Sequence, residues 1–396
     1  MDKIDEILTR GVENVYPSKQ ALEKALRSGK KIRLYQGFDP SMPNLHLGNM
    51  VGLLKLKQFQ ELGHEVIFLV GDFTGMIGDP TDKTAARKLL TRKQVRKNCQ
   101  AWKMQAGKIL NMKGKNPIKW FFNSDWSDQV TFKDLIDIAS HLTVQQMLER
   151  DFFQARLKKE KPIYLHEFLY PVAQGYDSIA MDVNLEVGGN DQTFNMLVGR
   201  TLMKAIKGKE KFVLTTKLLV DNQGEKVGKT AGNALFLNAS SVQMYGGVMS
   251  FPDEIVPLAF KLLTSLPLKE LKELKGKLMK ANPMDFKKRL AFEIVKLNHS
   301  EKESQKAQSE FEQVFQKRKQ PRKLPSFKTS QSKLNIVDLL LQAKLVSSRS
   351  EGKRLVQQGA IDIDGKTIND QQSTVSVKNG IIIRAGKKKF IKIIKE

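Results

Sequence analysis

Cysteine and histidine are scarce in this sequence. Among its 396 residues there is a single cysteine, Cys99, and there are five histidines. The histidines are His46, His64, His141, His166 and His299. A single cysteine excludes a disulfide framework and a cysteine-based metal site, and the histidines show no paired metal-ligand spacing. We therefore expect no metal ion held by the protein itself.

Long apolar runs are missing as well. No stretch approaches the ~20 consecutive apolar residues that a transmembrane helix needs. Residues 1–6 read Met-Asp-Lys-Ile-Asp-Glu, an acidic start without a signal or transit pattern. These features predict a cytoplasmic protein with no membrane partner.

Acidic residues are outnumbered by basic ones. The chain has 67 lysines and arginines against 42 aspartates and glutamates, so its formal net charge is +25. This balance favours a polyanionic partner, most simply a nucleic acid, although a generally lysine-rich proteome would produce the same excess. Hydrophobic residues make up 40% of the chain, and a chain of this length is expected to form two or three domains.

The N-terminal part of the chain predicts a strand–loop–helix–strand unit. Residues 1–30 are predicted as two short helices that lead into a strand over 31–35, and the apolar run 65–71 is typical of a buried parallel strand. Ligands bind at the carboxyl ends of such strands. His46 and Gly48 stand at the start of the intervening helix, where free N–H groups receive phosphate. The alternative is a tight turn with a capping histidine, because a lone His-x-Gly recurs by chance.

Two later segments also bring polar groups to strand ends. Residues 71–80 are rich in glycine and contain the carboxylate of Asp79. An alternating strand over 182–187 runs into a glycine-rich turn, 188–192, that opens a helix over 193–203. Both segments have the composition of loops whose backbone approaches a ligand closely.

A polar stripe is predicted on one helix. Tyr170, Gln174 and Asp177 fall at positions i, i+4 and i+7, so they share one helical face. Because their neighbours are apolar, the stripe is a candidate binding surface. A solvated helix face would show the same pattern.

A second glycine-rich loop carries lysines. Residues 221–232 contain three glycines together with Lys226 and Lys229. Two cations three residues apart are suited to gripping a polyphosphate. The alternative is an ordinary basic surface loop.

The C-terminal part of the chain is strongly basic. Residues 317–332 contain six basic residues, two prolines and no acidic residue, which is typical of a linker. Residues 333–396 are predicted to form two helices and several short strands. The second helix carries Arg349, Lys353 and Arg354. A basic helix on a small sheet suits RNA that is recognised by its shape and backbone.

In this order and spacing, the motifs resemble those of the class I aminoacyl-tRNA synthetases, and among them the bacterial tyrosyl-tRNA synthetases. Residues 46–49, His-Leu-Gly-Asn, resemble the HIGH motif, and residues 226–230, Lys-Val-Gly-Lys-Thr, resemble the KMSKS loop in its KFGKT form. The polar stripe and the Gly-Gly turn resemble the tyrosine-side motifs. Two positions depart from the pattern: Asn49 replaces the second histidine of HIGH but keeps a hydrogen-bond donor, and Ser41 stands where threonine is usual.

The resemblance implies an α/β fold in four parts. Residues 1–232 would form a Rossmann-like catalytic domain with a parallel sheet and an insertion at about 91–154. A helical domain over 233–316, the basic linker 317–332 and a small α+β domain of the S-four RNA-binding type, 333–396, would follow.

The resemblance also implies an activity and partners. The protein would activate L-tyrosine with ATP, accompanied by Mg²⁺, and transfer the tyrosine from tyrosyl-adenylate to tRNA(Tyr). It would act as a homodimer with an interface around residues 110–150, where Phe121, Phe122 and residues 135–142 are rich in apolar groups.

Roles for individual residues follow from the same resemblance. L-Tyrosine would be bound by Tyr35, Thr74, Asp79, Tyr170, Gln174, Asp177 and Gln192. ATP would be bound by Gly37, Asp39, His46, Gly48, Asn49, Gly189, Asp191, Lys226 and Lys229. Catalysis would depend on Ser41 and His46 at the γ-phosphate and on Lys83, Arg87, Lys226 and Lys229 at the pyrophosphate. RNA would be bound by Arg349, Lys353 and Arg354.

Three other functions remain open at this point. A tryptophanyl-type synthetase shares the fold but has no use for a phenol-binding Tyr35 and Asp177 pair. A nucleotidylyltransferase also uses a His-x-Gly-His loop but does not explain a separate RNA-binding unit. An RNA-binding protein without catalysis would not need Asp79 or the two lysines of the 221–232 loop.

Overall fold

The structure is a computed structural model that describes most of the chain. The described residues are 2–79, 89–221, 223–224, 226–227, 234–278, 282–313, 325–386 and 389–395. Three predicted site residues, Lys83, Arg87 and Lys229, and half of the predicted linker, residues 317–324, lie outside these ranges. The chain divides into two compact units, Met1–Ala307 and Gln308–Glu396. Among the described residues, each helix is too short or too polar to span a bilayer.

The first unit contains a six-stranded sheet in the order β1-β6-β5-β2-β3-β4. Its strands are β1 Val12–Tyr16, β2 Arg33–Phe38, β3 Glu65–Val70, β4 Lys119–Phe122, β5 Leu185–Gly189 and β6 Phe212–Thr216. All neighbours pair in parallel except β1, which runs antiparallel to β6. The carboxyl ends of the five parallel strands therefore meet at one edge of the sheet.

Helices surround this sheet and extend the first unit. They are α1 Lys3–Ile7, α2 Lys19–Arg27, α3 Leu47–Glu61, α4 Thr74–Ile77, α5 Arg92–Cys99, α6 Trp102–Ala106, α7 Ser124–Ser127, α8 Phe132–Ala139, α9 Val144–Leu148, α10 Asp151–Leu157, α11 Leu165–Ala180, α12 Thr193–Lys207, α13 Ser241–Met249, α14 Val256–Leu263, α15 Leu268–Leu278, α16 Pro283–Asn298 and α17 Glu301–Phe311. The α/β class, the parallel sheet and the helical segment that follows it are confirmed.

Two local predictions about the sheet were wrong. Residues 1–30 contain β1 in addition to two helices, because Val12, Val15 and Tyr16 pair with β6 at the edge of the sheet. Within the predicted insertion 91–154, β4 is the other edge strand and pairs in parallel with β3. The Gly-Gly turn is the end of β5, and a 3₁₀ turn over Asn190–Gln192 follows it.

The second unit is a small α+β domain. A five-stranded sheet has the order β10-β9-β12-β13-β7, and β8 pairs with β11. The elements are β7 Ser326–Thr329, β8 Lys333–Asn335, α18 Ile336–Gln342, α19 Arg349–Gln357, β9 Ile361–Ile363, β10 Lys366–Ile368, β11 Thr374–Ser376, β12 Ile382–Ala385 and β13 Lys389–Lys395. Residues 326–329, which were predicted to belong to the linker, form β7 because they pair in parallel with β13.

Helices α11 and α12 pack backbone against backbone. A Cβ atom added to Gly199 would lie 3.2 Å from the Cα of Gly175 and 2.7 Å from the Nζ of Lys211. Real Cβ atoms rarely come that close to neighbouring heavy atoms, so glycine is required at this crossing. The close approach holds α11, which carries the polar stripe, against α12.

We predict that Gly199→Ala lowers the free energy of unfolding by about 1–3 kcal/mol, because an extra methyl group overpacks the crossing. Gly246→Ala is the matched control, since Gly246 lies within α13 with open space around its Cβ position. There the same change should raise stability by about 0.5–1 kcal/mol. Urea unfolding of both variants measures the two effects. A change of the same sign in the free energy of unfolding of both variants would contradict the close crossing of α11 and α12.

Candidate active site

The predicted site residues meet in one cleft at the carboxyl edge of the sheet. Those that line it are Tyr35, Gly37, Asp39, Ser41, His46, Gly48, Asn49, Thr74, Asp79, Tyr170, Gln174, Asp177, Gly189, Asp191, Gln192 and Lys226. They come from β2, the start of α3, the loop after β3, α11, the end of β5 and the loop after β6. The structure thus brings together every predicted tyrosine or nucleotide residue that it describes.

His46 is the N-cap of α3. Its Nδ1 accepts a hydrogen bond from the Asn49 backbone N–H at 3.3 Å, and the Asn49 side chain accepts from the His46 N–H at 3.0 Å. The two side chains therefore cap the helix reciprocally. Gly48 leaves room for this cap, because a Cβ there would lie 2.9 Å from the His46 ring.

Asp39 is held by two hydroxyl groups. Thr74 Oγ1 donates to its Oδ1 at 2.7 Å, and Tyr170 Oη donates to its Oδ2 at 2.8 Å. Burial, with the adjacent Asp39 carboxylate, raises the pKa of Tyr170 well above its usual value. The Tyr170 phenol therefore stays protonated and acts as a donor.

Asp79 is bridged by a cation and an amide. Arg150 Nη2 donates to Asp79 Oδ1 at 2.7 Å, and Gln192 Nε2 donates to Oδ2 at 2.6 Å. The Arg150 guanidinium also lies 4.3 Å from the centre of the Phe152 ring. Sequence analysis missed Arg150, because it belongs to none of the recognised motifs and lies 71 residues from its partner.

Asp177 and Tyr35 lie at the buried end of the cleft. The Asp177 carboxylate accepts from Trp126 Nε1 at 2.8 Å and from Asn123 Nδ2 at 3.3 Å. Burial raises the pKa of Asp177, and these two donors oppose the shift. Tyr35 is fully buried, and its Oη lies 2.9 Å from Ser178 Oγ. Asn123, Trp126 and Ser178 were not predicted, since none of them belongs to a recognised motif.

A buried ion pair lies beside this end. Lys211 and Glu186 are 0% and 2% exposed and pair through Nζ and Oε2. Lys211 Nζ also donates to Ser178 Oγ at 2.8 Å, and Gln174 Nε2 donates to Glu186 Oε1 at 3.0 Å. Neither charged residue was predicted, although a glutamate within an apolar strand is a signal that could have been followed.

Lys226, from the glycine-rich segment 221–232 that carries the predicted lysines, lines the cleft. Its Nζ lies 2.5 Å from Asp191 Oδ2, and both side chains are partly exposed. Val227 lines the cleft beside it. The absence of a side chain at Gly189 leaves room for the Asp191 carboxylate, because a Cβ atom there would lie 2.5 Å from Asp191 Oδ1.

The predicted RNA-binding residues lie on α19 of the second unit. Arg349, Lys353 and Arg354 are exposed there, and Arg349 pairs with Asp338 at 2.5 Å. The apolar side of the helix packs Val356 into the core of this unit.

Comparisons with known proteins agree with this architecture. A family model described as tRNA synthetases class I (W and Y) matches residues 27–316, and a model of the tyrosine--tRNA ligase SYY-like C-terminal domain matches residues 310–393. The tyrosine--tRNA ligase of Thermotoga maritima is 42% identical over 391 residues, which cover 98% of this chain and 96% of that protein. The Haemophilus ducreyi enzyme of the same name is 42% identical over 388 residues, with coverages of 98% and 96%.

Solved structures give the same picture. A C-terminally truncated mitochondrial tyrosyl-tRNA synthetase from Coccidioides posadasii matches with a TM-score of 0.65 and 25% identity, covering 78% of this chain and 91% of that one. Because the family model spans most of the sequence and its relatives are similar over nearly their whole length, this chain belongs to the class I tRNA synthetases of the W and Y family.

Proposed function

We propose that this chain is a tyrosine--tRNA ligase, which activates L-tyrosine with ATP and transfers it to the 3′ end of tRNA(Tyr). The observation that carries the proposal is the cleft, which combines a buried phenol-binding end at Tyr35 and Asp177 with the capped start of α3. ATP–pyrophosphate exchange tested with each of the twenty amino acids should proceed with tyrosine. Exchange with tryptophan instead would overturn the proposal.

At the phenol end, Asp177 and Tyr35 are proposed to bind the substrate hydroxyl. Each Asp177 oxygen already accepts one N–H group, and a carboxylate oxygen has capacity for a second donor. Tyr35 supplies the second polar group of the pair. Phenylalanine has no hydroxyl to fill the remaining acceptor capacity of Asp177 or to pair with the free side of the Tyr35 hydroxyl, and a buried donor or acceptor left without its partner costs about 1–3 kcal/mol.

At the other end, Asp79, Tyr170, Gln174 and Gln192 are proposed to bind the amino group and carboxylate of tyrosine. Gln174 Oε1 is buried and, among the described residues, has no hydrogen-bond partner. A carbonyl oxygen in this position is an acceptor suited to an ammonium group. Asp79 supplies the charge, although Arg150 shares its carboxylate in the structure.

The nucleotide is proposed to lie along β2, α3 and the end of β5. Asp39, Gly37, Gly189 and Asp191 would contact the amino group and ribose of the adenylate. Ser41 and the His46–Asn49 cap would receive the γ-phosphate, and Lys226 would meet the pyrophosphate together with Lys83, Arg87 and Lys229. Mg²⁺ would enter with ATP, since it commonly binds through substrate phosphates.

This arrangement supplies position and charge for the chemistry. The tyrosine carboxylate attacks the α-phosphorus, pyrophosphate leaves, and the reaction needs no protein nucleophile. Charge that develops on the leaving group would be met by the N–H groups at the start of α3 and by the lysines and arginine proposed for pyrophosphate.

Homodimer formation is proposed through exposed apolar side chains within 110–150. Phe132, Ile136 and Val144 are 78%, 58% and 67% exposed on α8 and α9. Phe121, which the sequence also placed at the interface, is half-buried and packs against the cluster that contains Tyr35. Phe132 and Ile136 lie one turn apart on α8, and exposed apolar side chains on one helix face are typical of an association site. The chain is further proposed to act in the cytoplasm.

We predict that Asp177→Ala abolishes tyrosine activation or leaves an enzyme that no longer favours tyrosine over phenylalanine, because Tyr35 alone cannot pair the phenol. The ratio of kcat/KM for the two amino acids in pyrophosphate exchange measures the effect. Asp125→Ala, an exposed aspartate on α7, is the control. Selectivity like that of the wild type in Asp177→Ala would refute the assignment.

Lys226→Ala should slow adenylate formation more than it weakens tyrosine binding, because the lysine meets charge that develops on pyrophosphate. The barrier should rise by about 2–4 kcal/mol. Single-turnover rates and equilibrium tyrosine binding separate the two effects, with the exposed Lys19→Ala as control. An unchanged rate of adenylate formation together with a lower affinity for tyrosine would show that Lys226 acts at the tyrosine site and not at the pyrophosphate.

A chain that ends at Lys319 should retain tyrosine-dependent pyrophosphate exchange and lose most charging of tRNA. The described tyrosine and nucleotide residues all lie before residue 228, whereas the basic residues of α19 belong to the removed unit. Binding of the full chain to tRNA should weaken with salt, with a log–log slope of about 0.7–0.9 for each phosphate contact. Undiminished charging by the shortened chain would assign the second unit another role.

Light scattering at micromolar concentration should report twice the chain mass. Phe132→Lys with Ile136→Lys should convert the protein to a monomer, because two charges on α8 would be desolvated at the interface. Glu149→Lys, an exposed change in the same region, should leave the dimer intact. A monomeric wild type would count against the interface.

A further inference from the structure

We propose that the buried Lys211–Glu186 ion pair is a positioning device that sets the direction of hydrogen bonds at both ends of the tyrosine site. The inference rests on the proposed function and deepens it. Glu186 lines the cleft together with Tyr35, Gln174 and Asp177. Lys211 is fully buried and acts through its contacts with Glu186 and Ser178.

At the phenol end, the proposed direction starts from Lys211. An ammonium group only donates, so Lys211 Nζ occupies one lone pair of Ser178 Oγ, 2.8 Å away. Either oxygen can be the donor in the 2.9 Å contact between Ser178 Oγ and Tyr35 Oη, and in the proposed arrangement the donor is the Ser178 hydroxyl. With its oxygen accepting from Ser178, Tyr35 turns its own O–H toward the cleft. The substrate phenol oxygen accepts it, and the substrate O–H is left to Asp177.

At the ammonium end, the same pair fixes an amide. Glu186 Oε1 accepts from Gln174 Nε2 at 3.0 Å. This bond sets which way the Gln174 amide points, so the buried Oε1, which has no partner among the described residues, is left to accept from a substrate. An uncharged side chain at position 186 would let the amide turn over and present N–H groups to the ammonium.

Glycine at position 199 leaves room for the Lys211 side chain. The Gly199 backbone lies so close to Lys211 that a Cβ there would be 2.7 Å from Nζ. Burying two charges is costly unless each is paired and hydrogen-bonded. Here Glu186 and Ser178 satisfy Lys211, and Lys211 and Gln174 satisfy Glu186, so one buried pair orients groups at opposite ends of one substrate.

Binding of three ligands to matched variants tests the proposal. The ligands are tyrosine, phenylalanine, which lacks the phenol hydroxyl, and 3-(4-hydroxyphenyl)propanoate, which lacks the ammonium. Ser178→Ala leaves the ion pair in place and should weaken tyrosine and the propanoate about tenfold, or about 1.4 kcal/mol, with phenylalanine unchanged. Glu186→Gln should weaken tyrosine and phenylalanine about tenfold and leave the propanoate unchanged. In pyrophosphate exchange, both variants should raise KM for tyrosine with kcat within about threefold.

Controls keep the outcome decisive. Lys209→Met removes an exposed lysine that pairs with Asp182 and should change none of these values. If Glu186→Gln does not fold, phenylalanine binding to the double variant Glu186→Gln with Lys211→Met, which removes both charges, supplies the ammonium-end measurement, because phenylalanine has no phenol hydroxyl for the other end. Equal losses for all three ligands, or lower thermal stability with unchanged binding, would overturn the proposal. Absence of tyrosine-dependent exchange in the wild type would instead refute the proposed function.

Discussion

Parallel pairing of β2 with both β3 and β5 is the constraint on which the rest of the cleft depends. It places Tyr35 between Ile67 and Glu186 in register. One residue therefore meets the apolar core on one side and the buried charge on the other. The loops after β2, β3 and β5 leave from the same edge, so residues distant in sequence converge there. Without this register, Asp39, Asp79 and Asp191 would have no common site.

The cleft is acidic although the protein is strongly basic. Asp39, Asp79, Asp177 and Glu186 all line it, and each carboxylate is stabilised differently. Hydroxyl groups hold the first, a guanidinium and an amide the second, indole and amide N–H groups the third, and a buried ammonium the fourth. Burial raises the pKa of Asp177, and the nearby Glu186 and Asp39 carboxylates add to that rise.

Local signals in the sequence predicted a large part of this arrangement. The His46 cap, the helical stripe of Tyr170, Gln174 and Asp177, and the order of strands and helices depend on neighbours within a few residues, and the structure has them. What the sequence could not predict depends on contacts across the fold. Strand β1 exists because β6 pairs with it, and Arg150 reaches Asp79 across 71 residues. Periodicity reports which face of an element is buried, but not which partner will lie against it.

The contact between Lys226 and Asp191 affects how variants of either residue must be interpreted. Removing the carboxylate deletes a group that lines the cleft and also releases a lysine that it holds at 2.5 Å. The two effects on nucleotide binding have opposite signs if the released lysine becomes more available to phosphate. A single substitution therefore reports the sum of these two effects. The effects of substituting two residues in direct contact are not additive. A double-mutant cycle across this pair separates the energy of the contact from the contribution to nucleotide binding proposed for each side chain.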